Sequence, residues 1–459
     1  MNAVATKFLT DLGYTVNQTA LSKIQTCDDW YRNAEKSMHL KQRVDGAEYS
    51  IVQMGFAKRG CEDDANLCEV IEVNGGGDND EQFEAVKALL QANAFDVMYR
   101  QQLELCSALG TVAAYWRVDG AETYTDGAVR GGVPRLNYID GLGFVPLTVE
   151  NGEVLEAAFV GESVSGGKTQ TTMVVCTRPS ERYQYRTVIW DDKSNVVSDT
   201  TAELSEVKPF AVMRVAQVNN LPDMTGYGLP KITQAIPVLC GLDSAFTALF
   251  GDIDESQKIT LINEVLCGFD DNGTPIPPNE AMKRRFVFLG ADKLPTTPNL
   301  VQEIVPTIRV DEFTRVIELL LSTFSMLFGY GTKKYSFENG QIVTATQYIG
   351  ERQDMMQELN RQRYEAKQYI AGIVRAGLWF LNTVTGTGWD DAAEVLVEFD
   401  DSFIEDKRTK LEQVRQDALD GIGGKRTTIQ YLMEQYNLTE EEAAQWAGEA
   451  EAEDIEGGA

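Results

Sequence analysis

Residues Gly329-Tyr-Gly-Thr-Lys-Lys-Tyr-Ser-Phe-Glu-Asn-Gly-Gln-Ile-Val-Thr-Ala-Thr-Gln347 (GYGTKKYSFENGQIVTATQ) separate two strongly helical patterns in a very acidic chain. Gly329, Gly331 and Gly340 give the segment backbone freedom, and Lys333 and Lys334 stand side by side before Tyr335. Its exit, Thr344-Ala-Thr-Gln347, fits a capping box: a threonine hydroxyl takes an orphan backbone N–H and Gln347 reaches back. From there no proline interrupts the chain to about Asn382, and Met356, Leu359, Ile370, Ile373 and Leu378 mark one helix. At 1.5 Å per residue it spans roughly 55 Å, the length of a girder in a larger assembly. On the entry side, Phe313, Val316, Ile317, Leu320, Leu321, Phe324 and Phe328 predict a helix from about Val310. That helix ends at Gly329 and Gly331.

Upstream, Pro230 opens another helix, with Ile236, Leu239, Leu242, Phe246, Leu249 and Ile253 at steps of three and four. Between the two helices the composition changes. Six of the 13 prolines fall within residues 257–307, around strand-like Ile259–Leu266 and Arg285–Leu289, so a compact β-rich insertion is expected there. From about 112 to 218 the period is two, predicting strands over Thr111–Val118, Leu155–Val160, Thr172–Thr177 and Tyr183–Trp190. Residues 1–110 read mostly as helices, with Asp28, Asp29, Trp30 and Tyr31 opening one amphipathic pattern and Asn74–Asp80 forming a loop. A strand over Glu394–Phe399 precedes a helical, acidic C-terminal region. The fold class is α+β.

With 459 residues, 43% of them hydrophobic, the chain has material for a substantial core and more than one domain. The net charge of -29 excludes any general attraction to nucleic acid or an anionic membrane, so such contacts must be local. The start lacks a basic segment followed by an apolar one, so no signal peptide is expected. No run approaches the length of apolar sequence that crosses a bilayer. The cysteines at 27, 61, 68, 106, 176, 240 and 267 make no CxxC pair, and buried free thiols are the expectation. His39 is the only histidine, which rules out a multi-histidine metal site; packing, or a partly exposed helix position, is expected for it. No cofactor, metal or catalytic constellation is legible.

The order helix, proline-rich β insertion, helix, glycine-lysine loop, capped long helix, strand, acidic tail resembles the portal proteins of tailed bacteriophages, particularly the siphovirus-type branch. The residues that carry the resemblance are Asn220-Leu-Pro-Asp-Met-Thr-Gly-Tyr-Gly228 with Leu242-Asp243 downstream, and Thr344-Ala-Thr-Gln347. Phe399-Asp-Asp-Ser402 with Asp406, and Leu438-Thr-Glu-Glu-Glu-Ala443, complete it. One departure is Gln347, where the family pattern suggests an acidic residue. The resemblance covers nearly the whole chain.

It implies a non-enzymatic subunit of a ring of about twelve copies around a central channel at one capsid vertex. Double-stranded DNA is packaged and ejected through that channel. It also implies the domain layout. The wing takes 1–229 together with the long helix and strand at 347–400, and the stem helices are 230–256 and 308–329. The clip is 257–307, the tunnel loop 330–346 and the crown 401–459. The loop then brings Gly329, Gly331, Lys333, Lys334, Tyr335 and Gly340 to the DNA, in an otherwise repelling channel. The implied partners are further copies of the chain, major capsid and scaffolding protein, the large terminase subunit and a head-completion adaptor. The implied location is the virion, with the host cytoplasm during assembly. Phe246, Phe250, Phe324 and Phe328 are surplus apolar groups for a single helix pair and are expected at the interface between subunits.

Met282-Lys-Arg-Arg-Phe286 is the densest basic cluster; by the resemblance it lies in the clip, where Lys283, Arg284 and Arg285 are candidates for an acidic partner surface or for DNA at the exit, with a solvent-facing turn before a strand as the alternative. Gly161-Glu-Ser-Val-Ser-Gly-Gly-Lys-Thr169 imitates a phosphate loop, but Gly161 is one residue too far from Lys168 and the flanks read as strands, so a hairpin turn is expected. A nucleotide-dependent packaging enzyme, or another capsid or connector component, is the alternative function. Asp400-Asp401 and Asp270-Asp271-Asn-Gly273 read as a helix cap and a turn rather than metal ligands. Residues 400–459 hold 16 acidic and 6 basic residues, a charge of about -10, whose self-repulsion would keep a crown splayed.

Overall fold

The computed structural model describes residues 3–42, 48–68, 70–75, 80–120, 122–123, 129–130, 132–203, 207–256, 259–263, 268–276, 286–289, 301–335, 345–399, 414–416, 425–436 and 443–446. The chain opens with helices α1 (Ala3–Asp11) and α2 (Gln18–Tyr31), a short hairpin β1 (Leu40–Gln42) and β2 (Glu48–Ser50), and helix α3 (Phe56–Ala65). Strand β3 (Val70–Gly75) and helices α4 (Asp80–Ala92) and α5 (Phe95–Leu109) follow. Contrary to expectation, Asp28–Tyr31 close a helix rather than open one. Asn17 caps the start of α2, its side-chain oxygen accepting the Ala20 N–H at 2.9 Å.

Next come β4 (Thr111–Asp119), the short strands β5 (Glu122–Thr123) and β6 (Val129–Arg130), β7 (Val133–Ile139), β8 (Phe144–Glu150) and β9 (Glu153–Ser165). They are followed by β10 (Lys168–Thr177), β11 (Gln184–Trp190), β12 (Val196–Glu203) and β13 (Phe210–Arg214). Five of these make an antiparallel sheet in the order β12-β11-β10-β9-β8, and three more make β13-β4-β7. Alternation along the strands decides the layers. On one face of the five-stranded sheet, Val145, Val160, Met173, Val188 and Trp190 bury Ala5 and Leu9 of α1. On the other, Phe159 stacks on Tyr115 of β4 at 4.7 Å and meets Phe210 of β13 edge-on at 5.4 Å. The imitation phosphate loop is the β9–β10 hairpin, turned by Gly166 and Gly167 with φ of 59° and 76°, so no helix N-terminus faces it.

Helix α6 (Lys231–Glu255) leads into β14 (Ile259–Asn263), β15 (Gly268–Phe269), β16 (Pro275–Ile276), β17 (Phe286–Leu289) and β18 (Val301–Ile304). β14 lies between parallel β17 and antiparallel β18. In the turn between β15 and β16, Asp270 accepts the N–H groups of Asn272 and Thr274, and Gly273 takes φ +80°, as the turn chemistry predicts. Helix α7 (Val310–Leu327) returns against α6. Arg309 clamps the two, its guanidinium 2.6 Å from Asp252. Gly241 lets the Leu320 side chain lie against the α6 backbone.

Helix α8 (Ala345–Thr385) has 41 residues, the long helix that the sequence predicts, and strand β19 (Val395–Phe399) follows. α8 covers the second face of the β13-β4-β7 sheet. Its Gly377 lies under Trp116, whose indole N–H donates to the Ile373 carbonyl at 2.9 Å. A separate unit holds β3, β19 and helix α9 (Lys425–Tyr436), with β3 and β19 paired in a two-stranded sheet. None of the described cysteines forms a disulfide. Five are buried and Cys240 is intermediate, while Cys267 lies outside the described residues.

Candidate functional site at the loop root

Helix α7 ends in a Schellman motif. The Tyr330 N–H bonds to the Ser325 carbonyl, Gly329 N–H bonds to Met326, and Gly329 has φ +86°. A side chain at 329 would run into Glu358 of α8, so this glycine is required twice over. The chain leaving that motif is drawn onto α3. Phe324 and Phe328 press their rings over Gly60, where a Cβ would approach to 2.7 Å. Phe324 also packs on Tyr335 at 5.4 Å and on Phe56 at 6.3 Å.

Beside this aromatic cluster lies a network of charges. Lys231, the first residue of α6, is fully buried, with Nζ 2.6 Å from Asp64 of α3 and 3.0 Å from Glu358 of α8. Burial alone would lower its pKa, but the two carboxylates outweigh that and hold it above the ordinary lysine value. The Tyr330 hydroxyl reaches Asp64 and the Gly60 carbonyl, both at 3.3 Å. Asp63, one residue earlier, accepts the Tyr335 hydroxyl at 2.7 Å, lies 3.7 Å from Lys334 and pairs with Arg59 at 2.8 Å. The Lys334 ammonium sits 4.2 Å from the Tyr330 ring centroid. Burial lowers the Lys334 pKa against the opposing pull of Asp63, and burial with the Asp63 contact raises that of Tyr335.

Of the loop candidates, Gly329, Gly331, Lys333, Lys334 and Tyr335 therefore lie together at the junction of α3, α6, α7 and α8. Lys333 is exposed, and Tyr335 is a packing residue with a fixed hydroxyl. Gly340, the basic residues Lys283, Arg284 and Arg285, the cap at Thr344 and the pair Asp400-Asp401 lie outside the described residues. The four phenylalanines divide. Phe324 and Phe328 are fully buried within the chain, so the expectation that a neighbouring subunit must supply their contacts is corrected: α3 supplies them. Phe246 packs on Phe56 at 5.9 Å with the rings tilted, and Phe250 remains exposed.

Sequence reading missed Lys231, Asp63, Asp64 and Glu358. One signal was present: a lysine at the first turn of a helix, where the dipole favours an anion, needs carboxylate partners from elsewhere. It also missed a second cluster. His39 is buried in a turn, not on a helix, with Nδ1 2.8 Å from Glu35 and Nε2 2.8 Å from Asp243 of α6. Asp243 also accepts the Met54 N–H, so the Leu242-Asp243 pair joins α6 to the segment around β1 and β2. The Asn220–Gly228 motif is a tight linker into α6. Gly228 and Gly110 cross so closely that a Cβ on Gly228 would lie 2.2 Å from the Gly110 carbonyl oxygen.

Residues 14–456 match the family described as phage portal protein, SPP1 Gp6-like. The chain belongs to the phage portal protein family. A comparison with individually curated proteins returns no match. In this portal chain, Lys231–Asp254 is long and apolar enough by length and composition to cross a membrane. Yet its ends and middle are tied down by ions, through Lys231, Asp243 and Asp252, to α3, α8, the His39 turn and Arg309. Its apolar surface packs in part on α7.

Proposed function

We propose that this portal-family chain is a non-enzymatic subunit of a ring of about twelve copies, forming the channel through which double-stranded DNA is packaged and ejected. The observation that carries the reading is the second apolar face of the α6–α7 pair. With the buried face satisfied inside the chain, Phe250 and Ile253 of α6 and Val316, Leu319 and Met326 of α7 still point outward, Leu319 being 68% exposed. A row of that kind on paired helices calls for an adjacent copy, and a head-to-tail contact closes into a ring.

On this reading residues 230–256 and 308–329 are the stem and 257–307 the clip. Residues 330–346 are the tunnel loop, 1–229 with 347–400 the wing, and 401–459 the crown. Lys333 and Lys334 give the acidic channel a weak, salt-screened hold on phosphate, with Gly331 and Gly340 letting the loop follow the duplex. Lys283, Arg284 and Arg285 would face the terminase or the head-completion adaptor. The assembly would sit at one vertex of the virion capsid, built in the host cytoplasm with capsid and scaffolding protein. The β9–β10 hairpin lends no support to a nucleotide-dependent enzyme, so the packaging energy would come from a separate motor.

Native mass spectrometry with negative-stain class averages tests the reading. Rings of about a dozen subunits with a central hole are expected. A monomer or dimer that stays so in the presence of capsid and scaffolding protein would overturn it.

A further inference from the structure

The β13-β4-β7 sheet ends on β13, and among the described residues no strand pairs with its second edge. The hydrogen-bond phase of that edge follows from the flanking bonds. Trp116 N–H donates to the Pro209 carbonyl and Val215 N–H donates to Gly110. Because bonded pairs alternate along an antiparallel ladder, the odd-numbered residues of β13 face β4. The N–H and C=O groups of Phe210 and Val212 point the other way. Among the described residues nothing bonds to them, whereas the next outward carbonyl, that of Arg214, accepts the Gln362 amide at 3.2 Å.

This open edge is the floor of a slot of about 690 Å³, within the range of pockets that hold a ligand. One wall is α8, through Glu365, Gln368, Gly372 and Arg375, and the other is the β8–β9 turn at Asn151–Val154. Gly372 lets α8 lie against Ala211, and Arg214 holds the turn by donating to the Gly152 carbonyl at 2.8 Å. Lys208 is neutralised by Glu153 at 3.1 Å. That leaves Arg214 and Arg375 against the single carboxylate of Glu365. Arg375 is exposed and meets no acid among the described residues. The slot is thus a locally cationic place on a chain of net charge -29.

Free donor and acceptor groups two residues apart, in a slot walled on both sides, are complementary to a peptide strand rather than to a nucleic acid or a compact ligand. We propose that this slot is a docking site for an extended, acidic peptide segment of a partner protein. The segment would add to the sheet as its fourth strand. It would exchange backbone hydrogen bonds with Phe210 and Val212, and present carboxylates to Arg375 and Arg214.

The test is fluorescence anisotropy on the assembled protein with three labelled peptides, TEVEVET, TSVSVST and TKVKVKT. The first is expected to bind saturably and at least about ten-fold more tightly than the third. Arg375→Glu, at an exposed side chain, reverses that order. Val212→Pro removes one outward N–H and leaves the ladder to β4 intact; it weakens binding at least about ten-fold. If Val212→Pro does not fold, TEVEVET methylated on its backbone nitrogens replaces it. Methyl groups at alternate positions in one register abolish binding, and those in the other register do not. No saturable binding of TEVEVET, equal affinity for all three charges, or indifference to both backbone changes overturns the proposal.

Discussion

Lys231 occupies a position that helix electrostatics disfavours, since the first turn of α6 presents positive backbone charge. It is tolerated because Asp64 and Glu358 bring two carboxylates to one buried ammonium. Removing the cation leaves both acids buried without their shared counter-charge; the exposed Arg361, 3.7 Å from Glu358, and the Tyr330 hydroxyl at Asp64 remain as partners. Lys231→Met should therefore destabilise the chain by about 3–5 kcal/mol in chemical denaturation. A loss below about 1 kcal/mol, the scale of an exposed ion pair, would show that the pair works as a surface contact. Because the folded pKa of Lys231 is raised, its contribution is present throughout neutral and acidic pH and is lost only at alkaline pH. Glu35 has the opposite sign. Burial pushes its carboxyl up, but hydrogen bonds from Ser37, Met38 and His39 together bring it below the usual carboxylate value. Its contribution is present above the ordinary glutamate range and fades as pH falls through the folded value. Glu35→Gln should thus lower the thermal midpoint at neutral pH and flatten its decline below about pH 4.5. A wild-type and variant difference that is the same at pH 3 and pH 7 would remove Glu35 from the acid response.

At the scale of elements, the helices with long apolar rows were legible, as were the short strands β14, β17 and β19, whereas β1, β2 and β3 were not. α7 and α8 begin and end close to where their stripes, glycines and cap predict, because each pattern repeats over many turns. Strands β1 and β2 have three residues each, too few to show a period, and β3 runs into Asn74–Gly75, which read as part of a loop, so all three were absorbed into a helical reading. Asp28–Tyr31 were read as opening a helix because apolar spacing gives no direction; the cap at Asn17 does. Phe324 and Phe328 were sent to a neighbouring subunit because nothing local announces that Phe56 and Gly60, more than 250 residues earlier, wait for them. The cation at Lys231 was visible, but its partners lie on two other helices. The structure shows that α7 has two apolar faces. One is consumed by α3 and α6, and Leu319 lies on the other. Leu319→Glu should leave the circular-dichroism spectrum and monomer stability within about 0.5 kcal/mol, as expected for an exposed site. In native mass spectra the same variant should shift assembled rings toward monomers. Rings of unchanged abundance would place the interface elsewhere.

Over the whole molecule, a charge of -29 makes every cation near the 329–335 segment conspicuous. Lys334 lies against Asp63 and the Tyr330 ring, and Lys333 is on the same exposed turn. The root of the loop is thereby bound to α3 and, through Asp64, Lys231 and Glu358, to α6 and α8, so on the proposed reading any force that DNA exerted there would be delivered to those helices. On the proposed reading, phosphate contact by two lysines per copy would be weak, multiplied around a ring and sensitive to salt. Reversing both, in the variant Lys333→Glu with Lys334→Glu, turns a transient hold into repulsion and also sets a new carboxylate against Asp63. Packaging of DNA into capsids should fall several-fold or more, with raised salt recovering part of it by screening the added charge. Ring formation, which the proposed reading assigns to the α6–α7 face, should be unaffected. Rings with normal packaging would remove both lysines from DNA contact. Loss of rings together with packaging would instead assign the Asp63 contact to assembly.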